Sequence, residues 1–194
     1  DGIRDYKVTG VQTCALPILI TKGDDSALRL IKSYFLEKGI DILGVDLFLR
    51  DRKMPIGVIS GAAPTAEESA IIAQAVSVLS ALGSHDVGQS IVAQNGRILA
   101  IEAAEGTDAM LTRCHGLIHA SDGIACFVKM AKSDQERNLD TPVIGCKTIE
   151  VAAKAGIGLV AVEAGKVLLA DDLERLGATC EQLNVRMCGI ETSN

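Results

Sequence analysis

Three polar clusters hold the residue types that work on an anionic substrate would need, and each lies where a strand is expected to begin or end. The first is His85-Asp86-Val87-Gly88-Gln89, entering an apolar run, and the second is Glu102-Ala103-Ala104-Glu105-Gly106-Thr107-Asp108, leaving the next one. The third is the polar segment from Lys129 to Pro142, which carries Lys132, Asp134, Gln135, Glu136, Arg137 and Asp140 without hydrophobic periodicity. Strand ends are where open α/β sheets place their ligands. Gly106 before Thr107 and Asp108 at a helix start presents backbone N–H groups and a hydroxyl to an anion. The carboxylates of Asp86, Glu105, Asp108 and Asp140 are oxygen donors of the kind a hard divalent cation takes, and Lys129, Lys132 and Arg137 can reach phosphate oxygens. A plain helix cap would use the same Gly-Thr-Asp string, and a solvated loop would show the same mixture of charges. What favours function in the third cluster is its place directly behind a buried strand.

Other chemical readings are weaker. His115 and His119 have the i, i+4 spacing of a metal pair, but Gly116 and the expected helix end between them favour a capped terminus with exposed imidazoles. Cys114 beside His115 suggests a nucleophile and a base, yet neighbours on a helix point about 100° apart, which favours packing. Gly156-x-Gly158 lacks the third glycine and the preceding strand of a dinucleotide fingerprint.

The elements that must position these clusters follow from local signals. Thr65-x-x-Glu68 is a capping box, and Ile72, Ala75, Val76 and Leu79 form the inward stripe of a helix that stops at Gly83. Val87 to Gln94, the pair Asn95-Gly96, and Arg97 to Ala103 make a β-hairpin. A helix then starts near Gly106-Thr107, turns Met110 and Leu111 inward and ends around Gly116. Further on the pattern predicts a strand over Ile124 to Val128, a helix from Thr148 to Ala155, and strands at Leu159 to Glu163 and Val167 to Leu169. A helix boxed by Asp171 and Glu174 and a last strand from Asn184 to Cys188 complete it. The fold expected is α/β, a mixed sheet with a β-hairpin and flanking helices.

Nearer the N-terminus, Asp25 or Ser26 caps a helix carrying Leu28, Ile31 and Phe35 at helical spacing and stopped by Gly39, followed by a strand over Ile40 to Val45. One helix and one strand cannot cover their own apolar faces, so residues 19–56 read as the remnant of a preceding α/β domain with its linker. Arg50 to Lys53, with Pro55 and Gly57 behind it, marks the boundary, and 57–194 reads as the main domain. Residues 1–18, DGIRDYKVTGVQTCALPI, resemble the translation of a sequencing adapter, an artefactual leader, and are set aside.

Composition limits the partners. Of 194 residues 48% are hydrophobic, enough for a real core, but with no Trp, two Tyr and three Phe there is no stacking platform for bases. Acidic residues outnumber basic ones, 25 to 19, for a formal charge of −6, which argues against nucleic acid as a partner. The six cysteines show no CxxC spacing and read as buried thiols of a reducing compartment. No apolar run reaches bilayer length and no basic-then-apolar leader opens the chain, so a cytoplasmic protein is expected.

The stretches DVGQSIVAQNGRILAIEAAEGTDAML and KMAKSDQERNLDTPVIGCKTIEVAAKAGIGLVAVEAGKVLL resemble the C-terminal catalytic domain of the UDP-2,3-diacylglucosamine pyrophosphatases of the second bacterial type, unrelated to the calcineurin-like enzymes. The resemblance runs from about Gly57 to the end, with EAAEGTDAML and VEAG as its most specific motifs, and Lys22 to Leu49 is similar to the end of that family's N-terminal domain. It implies hydrolysis of the substrate diphosphate to UMP and 2,3-diacylglucosamine 1-phosphate in lipid A synthesis, with Mg2+ as the metal and the site between two domains. It further implies Asp140 and Asp108 as catalytic, Asp86, Glu105, Asp108 and Asp140 as the metal-binding set, and Gln89, Thr107, Lys129, Lys132, Gln135 and Arg137 as substrate-binding. The partner would be a UDP-linked diacylated glucosamine lipid; a homodimer and peripheral contact with the inner membrane face are compatible with it. The family pattern Pro-Gly-Gln-Asp-Arg is replaced here by Ser133-Asp134-Gln135-Glu136-Arg137, which loses the proline and glycine that the family's loop carries and, with Asp become Glu, keeps the charge but lengthens its reach. The alternative is a noncatalytic sugar-nucleotide or lipid-binding module, or an inactive fragment of the enzyme.

Overall fold

A computed structural model of the chain describes residues 24–83, 85, 87–132 and 141–192. The fold is α/β, a six-stranded mixed sheet between helical layers, as expected from the alternation of elements. Its strands are β1 (Gly57–Ser60), β2 (Ser90–Gln94), β3 (Arg97–Ile101), β4 (Ala125–Lys129), β6 (Ile157–Glu163) and β8 (Arg186–Ile190), in the order β1-β8-β6-β4-β2-β3. The three central strands β4, β6 and β8 are parallel, whereas β1, β2 and β3 pair antiparallel with their neighbours. A separate parallel pair joins β5 (Val143–Ile144) to β7 (Leu168–Leu169).

The period of two in the strands sorts their side chains to two cores. Ile91, Ala93, Cys126, Val128, Leu159, Ala161 and Cys188 face α2 (Ala66–Gly83), meeting Ile71, Ile72, Ala75 and Leu79. Val92, Phe127, Val160, Val162 and Met187 face the other way, towards α3 (Thr107–Cys114), α4 (Cys146–Ala155) and α5 (Leu173–Gln182). Because both faces are covered, β4 is buried at every position, which explains its unbroken apolar run. Five cysteines are free and buried within these layers, and burial pushes the Cys126 thiol up to about 12 and the Cys180 thiol to about 11. No helix among the described residues is long and apolar enough to cross a membrane.

The capping box forms as read: Thr65 N–H donates to Glu68 Oε2 at 2.8 Å and Glu68 N–H to Thr65 Oγ1 at 3.2 Å. The hairpin turn has Asn95 at φ 49° and Gly96 at φ 69°, the positive values that the tight hairpin needs. Other elements differ from the expectation. No strand forms over Ile40 to Val45, because no neighbouring strand among the described residues takes its backbone groups. Instead the segment after α1 (Asp24–Glu37) closes 3-10 turns at Val45–Leu47 and Arg50–Arg52, leaving Ile40 and Leu43 about half exposed, at 52% and 55%. The Arg50–Lys53 stretch, read as a polar linker, ends against the sheet layers: Lys53 forms a β-bridge with Leu168, and Met54, 1% exposed, belongs to the core. β1 has no clear local signal, because Pro55 and Gly57 read as loop punctuation. The last strand begins two residues late, since Asn184 adopts φ 54° just behind α5.

The box expected at Asp171 and Glu174 does not form. Asp172 occupies the N-cap of α5 and makes no side-chain cap bond. The Asp171 carboxylate turns instead to α4, where it accepts the main-chain N–H of Cys146 at 2.8 Å.

Candidate functional site

Strand register brings the sequence clusters to one edge of the sheet. Ser90 pairs with Lys129, Ile91 with Ile101 and Lys129 with Val162, so the start of β2 and the ends of β3, β4 and β6 lie side by side. This is the carboxyl end of the parallel strands, the usual place for a ligand in an open α/β sheet.

Glu102, 9% exposed, is the centre of that edge. Its Oε1 accepts the Thr107 hydroxyl at 2.9 Å, and Lys129 Nζ in turn donates to Thr107 Oγ1 at 2.9 Å. Its Oε2 accepts the main-chain N–H of Gln89 at 3.3 Å, and its own N–H donates to Ser90 O at 2.9 Å. Gly88 permits this approach: a Cβ there would lie 2.1 Å from the Glu102 carbonyl oxygen. Three expected substrate residues, Gln89, Thr107 and Lys129, are therefore brought together, although they come from the entry to β2, the start of α3 and the end of β4. Lys129 is 6% exposed, a buried cation whose ammonium is held by a hydroxyl that a carboxylate orients. The Gln89 Oε1 and Ser90 Oγ atoms are buried on the same stretch without a hydrogen-bond partner among the described residues.

A second acid closes the neighbouring strand end. Glu163, 1% exposed at the end of β6, accepts Ala131 N–H at 2.8 Å, faces Lys166 Nζ at 2.7 Å and accepts the Thr192 hydroxyl. It thereby fixes the backbone just after β4, from which the third cluster departs. Lys132 is half-buried on that stretch.

The carboxylates expected to bind metal are less closely gathered. Asp108 lies one residue beyond Thr107 on α3 and faces Lys147 at 3.2 Å, with its side chain 44% exposed. Glu105 is exposed; its own main-chain N–H and then the Arg113 guanidinium, 2.8 Å away, hold its carboxyl below the usual range. Among the described residues no group of three or more His, Cys, Asp or Glu side chains is placed to hold a metal ion. Asp86, Gln135, Arg137 and Asp140 lie outside the described residues. Of the weaker candidates, Cys114 is fully buried in the core, and His119 uses its main chain, not its ring, to bind Gln94.

Sequence reasoning assigns no role to Glu102 or Glu163, although both stand within the quoted motifs. The signal available is the same for both: an acid at the end of an apolar strand run, RILAIE in one case and GLVAVE in the other. A buried acid in that position needs partners, and those of Glu102 are candidate site residues.

The span that carries this edge also matches known proteins. Residues 55–188 match the family described as the LpxI C-terminal domain. The chain is similar to the UDP-2,3-diacylglucosamine pyrophosphatase LpxI of Caulobacter vibrioides, 36% identical over 184 residues, an alignment that covers 91% of this chain. It spans 65% of that protein's length. With most of its sheet inside the matched span, the chain belongs to the LpxI family.

Proposed function

We propose that this chain carries the catalytic domain of a UDP-2,3-diacylglucosamine pyrophosphatase, which cleaves the substrate diphosphate to UMP and 2,3-diacylglucosamine 1-phosphate. The observation that carries the reading is the 36% identity to a protein of that name. The clustering of Gln89, Thr107 and Lys129 at the strand ends supports it. Cleavage of a phosphoanhydride needs its negative oxygens neutralised and a water delivered in line with the leaving group. The Lys129 ammonium, nearly desolvated and held by Thr107, is suited to a phosphate oxygen, because a cation that is already fixed loses little on engaging the anion. Lys132 and Arg137 would add charge from the following segment, with Gln89 and Gln135 orienting the substrate. Asp108 and Asp140 are the proposed carboxylates for water activation or metal binding.

Magnesium takes oxygen ligands and keeps several waters, so one or two protein carboxylates suffice. Asp108 suits that part, since its pair with Lys147 is exposed. Glu105, engaged by Arg113 through two donors, suits it less well. Asp86 and Asp140 would complete the set. When bound, the ion would supply charge neutralisation of the diphosphate and an acidified water. A cytoplasmic site facing the inner membrane, where a diacylated substrate would present its nucleotide, fits this reading.

The test is UMP release from UDP-2,3-diacylglucosamine with and without magnesium. It is run on this chain and on the chain joined to the part of the Caulobacter relative that it does not span. Magnesium-dependent release, abolished in Asp108→Ala and Asp140→Ala, is expected. Unchanged turnover in both variants would remove these residues from the site. No release from either form would favour a binding module without turnover.

A further inference from the structure

We infer that Glu102 is a positioning residue that sets the Lys129 ammonium through Thr107, so that the Thr107 hydroxyl serves as a relay within the site instead of a phosphate ligand. This rests on the pyrophosphatase reading for the reaction but not for the geometry. An ionised carboxylate only accepts hydrogen bonds, so the single hydroxyl proton of Thr107 is directed to Glu102 Oε1, 2.9 Å away. The oxygen of Thr107 must then present a lone pair outward, and Lys129 Nζ donates to it at 2.9 Å. The direction of the chain is thus decided at its carboxylate end. With that proton committed, the Thr107 side chain has no donor left for a phosphate oxygen, which only accepts. The other carboxylate oxygen takes Gln89 N–H, so one acid orients side chains or backbone from three separate elements.

The device depends on burial. A lysine 6% exposed must be held in one place by its partners, and a carboxylate 9% exposed must be compensated by donors. The threonine hydroxyl is the spacer between the two side chains. Glutamine at 102 keeps size and shape but can turn its NH2 towards Thr107. The Thr107 oxygen would then give one of its two lone pairs to the amide, and the rotation of the hydroxyl that this requires would shift the other relative to Lys129. A displacement of the ammonium by about 1 Å is enough to lower turnover on the order of 100-fold.

The experiment is a double-mutant cycle on UMP release, combining Glu102→Gln with Lys129→Met, beside Thr107→Ser and Thr107→Val. The expected result is that kcat falls on the order of 100-fold in Glu102→Gln with KM changed much less, and that adding it to Lys129→Met lowers kcat little further. Thr107→Ser should keep most activity and Thr107→Val should match Glu102→Gln. Additive losses from Glu102→Gln and Lys129→Met in an active enzyme would overturn the inference while leaving the pyrophosphatase reading in place. No release from the wild-type sequence in either form would instead remove that reading, and the geometry is then decided by NMR of the Lys129 side chain. Its Cε and Nζ resonances should move by the same amount in Glu102→Gln and Thr107→Val. Unmoved resonances would overturn the relay whether or not the protein turns over substrate.

Discussion

Asp171 and Cys146 stand 25 residues apart in sequence, and the carboxylate of the first accepts the main-chain N–H of the second at 2.8 Å. The first turn of α4 is therefore capped from the segment that leads into α5. An unpaired amide at a helix start is otherwise left to water, so this bond also fixes where α5 begins relative to α4. Gly145 makes room for it: a Cβ there would lie 2.8 Å from Asp171 Oδ2.

Asp171→Ala should lower the melting temperature and speed amide exchange in the first turn of α4, while leaving α2 protected. The Cys146 N–H is the main cause that holds the Asp171 carboxyl below the usual range. A carboxyl with a depressed folded-state pKa contributes stability above its unfolded value and loses it as pH falls through the folded one. The wild-type advantage over Asp171→Ala should therefore be full at neutral pH and vanish in acid, as read by thermal denaturation across that range. An equal difference at every pH would show that the cap is not the cause.

Glu68 and Arg186, 118 residues apart, tie the start of α2 to β8. Burial pushes the Glu68 carboxyl up, but the hydrogen bonds from Arg186 and Thr65 and the charge of Arg186 outweigh it, so the carboxyl sits below its ordinary value of 4.5. Stability from this pair is present above that ordinary value and is lost as pH falls through the lower folded one. Glu68→Gln should cost about 1.5–3 kcal/mol at pH 7, the range for a hydrogen bond to a charged group, and progressively less in acid. Urea denaturation at pH 7 and pH 3 measures it, and an unchanged difference between the two would refute the assignment.

Gly189 on β8 lies directly beneath the chain entering β1, where a Cβ would stand 1.8 Å from the Pro55 carbonyl oxygen. Backbone cannot give way as a flexible side chain can. Gly189→Ala should destabilise the protein by about 1–3 kcal/mol, the usual cost of overpacking, or more. The measurement is the urea midpoint, and Gly165→Ala is unsuitable as a comparison because its φ is +74°. Gly116→Ala, with open space around its Cβ position, is the suitable control and should change the midpoint little.

Much of the fold was legible because its signals are local. The Thr65–Glu68 box is made by residues three apart, and the Asn95-Gly96 turn by two neighbours, so the chemistry that forms them is written in adjacent positions. The apolar run at Ile124–Val128 announced a strand for the same reason, and the structure covers β4 on both faces. Where a local signal met a competing partner it failed. Asp171 has the right spacing to Glu174 for a box, but Cys146 N–H arrives from another helix and takes its carboxylate. Ile40 to Val45 has the composition of a strand, but a strand also needs a neighbour to bond, and composition does not supply one.

For the candidate site, sequence alone determined the residue types, their placement at strand ends and the family they resemble, because those depend on local order and motif. Only the tertiary structure decided that Glu102, Thr107, Lys129 and the Gln89 backbone meet, since Lys129 and Thr107 are 22 residues apart and Gln89 and Glu102 are 13 apart. Strand order and register set those distances, and both arise from burial on two faces of one sheet, a condition that no single segment contains.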